Sequence, residues 1–187
     1  MAYRCTLKVG NLLDEPEATF IVNASNTTLQ LGSGVSAAFK KACGIALQRE
    51  MDACYRRLEL PLKKGDVVAT SSGEAKHFLY ALHLCVMDYN QGVRREKKLP
   101  TLREIEDGLE NIERYLRWYA QKHPDDRIKL VLPLLGCGAG GLDPGEVLGL
   151  YERFFSREVS FECEVVVYMY TSDVYRLAEK ICCSFLK

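Results

Sequence analysis

Apolar positions along this chain switch between two spacings. "YRCTLKV" (3–9) and "ATFIVNA" (18–24) are short runs rich in β-branched and aromatic residues, and they read as strands. The spacing then lengthens. Val35, Ala38, Phe39 and Ala42 recur at three and four, which predicts a helix stopping at Gly44, and a second apolar-spaced segment covers roughly 45–57. "DVVATSS" (66–72) and "FLYALHLCVM" (78–87) return to strand character, the second apolar enough to lie centrally in a sheet. Thr101 and Glu104 form a capping-box signature. Behind them Leu102, Ile105, Leu109, Ile112, Leu116 and Tyr119 mark a long amphipathic helix with an acidic outer face. "IKLVLPLL" (128–135) reads as a buried strand. A helix opened by Asp143-Pro144, a strand "CEVVVYMYT" (163–171) and a last helix from about Ser172 to Phe185 complete the chain.

Strands alternating with helices predict an α/β protein. The expected architecture is a three-layer α/β/α sandwich around a central mixed, mostly parallel sheet. No repeat or linker divides residues 1–187, so one domain is expected. The stretch 91–100, "QGVRREKKLP", lies between elements of that domain, and its charges read as a solvated loop.

Charge narrows the partners. Lys+Arg and Asp+Glu are equal at 25 each, and no basic stripe interleaves with aromatics, so direct nucleic-acid binding is not expected. No apolar run approaches the ~20 residues of a membrane helix, and "MAYRCTLKVG" has no apolar signal core. Eight scattered cysteines, with no paired CxxC, suit a reducing cytoplasm better than a disulfide or zinc framework. No metal site or cofactor is expected.

Two glycine clusters carry the candidate chemistry. "QLGSGVSAAFKKACG" (30–44) and "LLGCGAGGLDP" (134–144) each follow a strand and open a helix. Ligands of α/β sheets bind beyond the carboxyl ends of strands, where such loops meet. Glycine lets backbone N–H groups approach a ligand, and a helix N-terminus adds oriented donors. Two facing loops would clamp a diphosphate without lysine or arginine. The alternatives fit less well. A P-loop G-x-x-x-x-G-K-[ST] is absent, and only 46 residues follow Gly141, too few for a Rossmann half built on Gly136, Gly138 and Gly141. "IVNASN" (21–26) precedes the first loop. Its Asn23 is expected to tie loops together, and its Asn26 to face a ligand hydroxyl.

These segments resemble the macrodomain family. "VGNLLDEPEATFIVNASNTTLQLGSGVSAAFKKACG" is similar to the family's opening: a first strand ending in Gly-Asp, then V-N-A-A-N, then a Gly-rich loop ending G-V. "LKKGDVVATSSGEAKHFLYALHL" resembles its next segment, and "LPLLGCGAGGLDP" its second phosphate loop. The resemblance implies binding of ADP-ribose or an ADP-ribosylated macromolecule. It also implies either hydrolysis of ADP-ribosyl esters or O-acetyl-ADP-ribose, or a reader that binds without turnover. It places ligand contacts at Asn11, Asn23, Asn26, Ser33, Gly34, Val35, Ser36, Leu135, Gly136, Cys137, Gly138, Ala139, Gly140 and Tyr170, with Asn26 the catalytic candidate. Asn11 replaces the family's adenine-binding aspartate. Ser36 replaces an aspartate that one hydrolase branch uses to activate water, and both changes favour the reader. Gly140 stands about where many members carry an aromatic, which implies a more open pocket. Tyr170 is a candidate to stack on adenine, and His83 reads as a core histidine.

Overall fold

The computed structural model describes residues 1–186, so Lys187 of the expected domain lies outside the described residues. Six strands form one sheet: β1 (Tyr3–Val9), β2 (Ala18–Asn26), β3 (Val67–Ser71), β4 (Phe78–Met87), β5 (Ile128–Pro133) and β6 (Cys163–Met169). Their order is β1-β6-β5-β2-β4-β3. All neighbours are parallel except β3, which runs antiparallel to β4 at one edge. The helices are α1 (Val35–Arg56), α2 (Arg95–Lys98), α3 (Leu102–Lys122), α4 (Pro144–Phe155) and α5 (Ser172–Ile181).

Each sheet face has its own apolar layer. Phe20, Leu82, Leu130 and Val165 meet α3 and α4 through residues such as Ile105, Leu109 and Tyr151. On the other face Ile21, Ala81, Val131 and Val166 meet α1 through Phe39, Cys43, Leu47 and Met51. This is the expected three-layer sandwich. Burial of both faces explains why β2, β4, β5 and β6 are nearly continuous apolar runs.

Local signals set most boundaries. Glu104 N–H donates to Thr101 Oγ1 and Thr101 N–H to Glu104 Oε2, so the capping box starts α3 where the sequence predicts it. Asp143 caps α4 through Glu146 N–H at 3.1 Å. Three expectations shift. Gly44 does not end a helix: at φ 67° it breaks the helical path within α1, and the helix resumes. The runs 128–135 and 163–171 leave the sheet at Pro133 and Met169, and the last helix stops at Ile181 before a 3₁₀ turn at Cys183–Leu186. Both strand ends, Pro133 and Met169, line the cleft described below. No helix among the described residues is long and apolar enough to cross a membrane.

Candidate functional site

Because five strands are parallel, their carboxyl ends share one edge of the sheet. A cleft of about 440 Å³ opens there across the ends of β6, β5, β2 and β4. That is the volume range of sites for small organic ligands.

One wall is the start of α1. Gly34 is the N-cap at φ 61° and ψ −132°, a backbone conformation outside the left-handed helical region and open in practice only to glycine. No side chain caps this helix. Ala37 and Ala38 N–H reach Gly34 O, while the N–H groups of Gly34, Val35 and Ser36 have no protein acceptor among the described residues. Three donors and the positive end of the helix dipole therefore remain for a ligand. The opposite wall is the loop after β5. Leu142 N–H closes it onto Gly136 O at 2.9 Å, and the N–H groups of Gly138, Ala139 and Gly140 are unpaired within the described residues. Gly140 permits a close approach: a Cβ there would meet Gly136 O at 2.6 Å and Pro100 Cγ at 2.8 Å. An aromatic side chain has no room at this position.

The cleft lining contains no Asp, Glu, Lys, Arg or His among the described residues. Burial, reinforced by Asp143, pushes the Cys137 thiol up to about 12. Burial also raises the Tyr170 phenol and, with help from Glu15, the Tyr168 phenol. These three groups stay protonated and neutral at physiological pH. Recognition here rests on backbone dipoles and aromatic surface.

Beneath the first wall runs a buried polar chain. Ser36 Oγ donates to Asn23 Oδ1 (3.0 Å) and lies 3.2 Å from Ala24 O. Asn23 Nδ2 donates to His83 Nδ1 (3.0 Å), and His83 Nε2 meets Thr70 Oγ1 at 2.8 Å. Thr70 Oγ1 in turn donates to Ser71 O. The order of donors fixes His83 as the neutral Nε2–H form, and complete burial lowers its pKa to about 3. The chain resembles a serine–histidine pair only superficially. An amide carbonyl separates the two, and it cannot carry the Ser36 proton to the imidazole. Ser36 is an anchor for α1, not an activated nucleophile.

The Macro domain family model matches residues 22–150, which include the first wall, β4 and the second loop. The chain belongs to the macrodomain family. A curated protein of Sulfolobus acidocaldarius is 28% identical over 170 residues, covering 88% of this chain and 83% of that protein. One of Saccharolobus solfataricus is 37% identical over 87 residues, or 46% of this chain and 47% of that protein, so the match spans about half of the relative's length. Among solved structures, the Oceanobacillus iheyensis macrodomain with ADP has TM-score 0.74 at 18% identity, covering 97% of this chain and 90% of that one. The Trypanosoma brucei macrodomain in complex with ADP-ribose has TM-score 0.68 at 20% identity, covering 95% and 68%. At these identities the structures establish the shared fold.

Within this macrodomain the predicted site residues divide. Asn26, Ser33, Gly34, Val35, Ser36, the run Gly136–Gly140 and Tyr170 line the cleft. Three do not. Asn11 caps the short 3₁₀ turn Leu12–Asp14, with its Oδ1 accepting from Leu13 N–H at 3.0 Å, so the carbonyl expected to meet adenine is engaged in the fold. Asn23 is fully buried in the polar chain. Leu135 is fully buried, its N–H donated to Tyr151 Oη at 3.1 Å. Asn26 lines the cleft, but its amide holds its own loop. Oδ1 accepts from Thr28 N–H, Thr28 Oγ1 and Gln30 N–H, and Nδ2 donates to Gln30 O at 2.9 Å. One Nδ2 proton remains for a ligand, and the group carries no acid–base chemistry. Sequence reasoning missed Met87, Tyr89, Tyr168 and Thr171, which also line the cleft. The rule that ligands sit beyond strand carboxyl ends would have pointed to the ends of β4 and β6.

Proposed function

We propose that this macrodomain is an ADP-ribose reader. It binds ADP-ribose, free or attached to a macromolecule, and does not turn it over. One observation carries the reading: two glycine loops whose backbone N–H groups are unpaired among the described residues line one cleft, and the described lining holds no charged side chain. That arrangement suits a diphosphate flanked by neutral sugar and base rather than a bare phosphate. Tyr168 and Tyr170 at the β6 end supply aromatic surface for the adenine, and the first loop and Asn26 flank the distal ribose. Family membership and the ADP-ribose and ADP complexes of two structural relatives support the same ligand. Against hydrolysis stand the amide committed at Asn26, the anchored Ser36 hydroxyl and the raised pKa of Cys137.

Titration calorimetry with ADP-ribose tests the reading. The expected result is micromolar binding, roughly −8 kcal/mol, with AMP much weaker. Absence of heat and of a thermal shift would overturn it. Incubation with mono-ADP-ribosylated protein and with O-acetyl-ADP-ribose should leave both intact, and release of free ADP-ribose would make the protein a hydrolase instead.

A further inference from the structure

The segment that follows β4 is rooted at one end of the cleft. Asp88 N–H donates to Lys98 O at 3.0 Å and closes the loop between them at its base. Tyr89, the first residue of the loop, lines the cleft, donates its N–H to Thr27 Oγ1 at 2.8 Å and is 47% exposed. Pro100, just past the last, packs on the second glycine loop, 3.3 Å from where a Cβ on Gly136 would stand. The loop therefore flanks the β4 end of the cleft, the end opposite Tyr170.

This loop is strongly basic. Arg94, Arg95, Lys97 and Lys98 stand beside a single acid, Glu96. The first three are exposed and Lys98 is half-buried. Elsewhere Lys8, Lys64, Lys129 and Arg157 are locked to carboxylates. Among the described residues, none of the four loop cations has an acidic side chain within ion-pair distance. The described lining of the cleft holds no charged side chain, so the loop adds cationic surface at this mouth. The balanced net charge of the chain conceals that concentration, and a role for it departs from the expectation, drawn from overall charge, of a merely solvated loop and no direct nucleic-acid contact.

We infer that the macromolecule bearing the ADP-ribose is a single-stranded nucleic acid. The cleft takes the ADP-ribose on a strand terminus, and Arg94, Arg95 and Lys97 grip the phosphates that follow. Tyr89, at the junction of cleft and loop, offers a ring on which the first base stacks. Free cations beside an exposed aromatic ring are the combination that single strands use. An acidic peptide would use the cations but leave the ring without a partner. The inference rests on the ADP-ribose reading of the cleft.

The test is anisotropy with four probes: free ADP-ribose, a bare oligodeoxynucleotide, the same oligonucleotide carrying ADP-ribose on its terminal phosphate, and an ADP-ribosylated acidic peptide. The conjugated oligonucleotide should bind roughly a hundredfold tighter than free ADP-ribose at about 50 mM salt. The gain should vanish near about 500 mM, as expected for about three phosphate contacts at about 0.7 decade each. The triple variant Arg94→Glu/Arg95→Glu/Lys97→Glu should bind the conjugate no better than free ADP-ribose. Free ADP-ribose, which reaches none of the three, reports that the variant is folded. The inference is overturned if the conjugate shows no gain at low salt, if the variant keeps the gain, or if the acidic peptide shows the same gain. Wild-type protein that ignores free ADP-ribose would overturn the cleft reading first, and this one with it.

Discussion

The two glycine loops bound one cleft but are held by opposite means. The first, Gln30–Ser36, depends on side chains. Asn26 gathers Thr28 and Gln30, and Gln48 takes Leu31 N–H and donates to Leu29 O. Ser36 is tied to Asn23 and, through it, to His83. The second, Leu134–Gly141, depends on backbone bonds and apolar contact, with a single side-chain hydroxyl at its root. Leu142 returns to Gly136 O, Gly141 to Gly138 O, and Tyr151 Oη bridges Pro133 O and Leu135 N–H. Pro100 and Ile105 pack against Gly136. A loop held by side chains fails when one amide is lost or one ring is protonated. A loop held by backbone and packing fails only when its volume is violated.

Acid should separate the two most strongly. His83 is neutral in the fold at a pKa lowered to about 3, whereas its unfolded value is near 6.5. The unfolded chain therefore binds the extra proton between those values. The His83 contribution to stability is complete above about pH 6.5 and is lost as pH falls towards 3, on the order of 5 kcal/mol in all. Glu15 adds in the same direction: burial raises its pKa, but hydrogen bonds from Lys8, Tyr168 and Lys129 outweigh that and leave it lowered. Amide exchange near pH 4 should show Gln30, Leu31 and Ala37, whose N–H groups are bonded in the first loop, losing protection before Leu135, Cys137 and Gly141 in the second, and the His83 ring should remain the Nε2–H form by NMR. Equal loss in both loops would break the comparison.

Gly138→Glu comes next. No protein atom lies within 4 Å of a Cβ there, and Gly138 is not among the glycines at positive φ, so the fold should survive. A carboxylate about 4 Å from a phosphate costs about 4 kcal/mol at an interface, which would abolish ADP-ribose binding in calorimetry while circular dichroism stays native. Asn26→Ala should remove about 2 kcal/mol of stability by releasing the loop donors, together with part of the affinity. Lost affinity at unchanged stability in chemical denaturation would make Asn26 a ligand contact only. The smallest effect is expected for Gly138→Ala, a melting shift worth less than about 0.5 kcal/mol. A larger one would mean that the second loop is less self-sufficient than its bonds imply.

What the sequence makes legible is what neighbouring residues decide. The start of α3 follows from Thr101 and Glu104, and the limits of β4 from its own apolar run. The two loops show because Gly, strand and helix adjoin in sequence. What stays hidden depends on partners distant in the chain. Nothing near Asn11 says that its carbonyl is spent on Leu13 N–H, and nothing near Gly140 says that Pro100 fills the space above it. The strand-end rule makes Met87 and Tyr89 candidates, but that they enter the cleft is decided by β4 lying beside β2, a sheet order that periodicity cannot supply.

The uncharged cleft has a kinetic consequence. With no cation among the described residues of its lining, the cleft itself adds little steering, so the arrival of free ADP-ribose should depend on ionic strength only through the flanking loop, and less steeply than that of a ligand carrying further phosphates. A ligand that also engages the loop of Arg94, Arg95 and Lys97 would be captured by that loop first and delivered to the cleft second. Encounter and recognition would then belong to different parts of the molecule, and stopped-flow mixing at several salt concentrations would tell the two ligands apart by arrival rate alone.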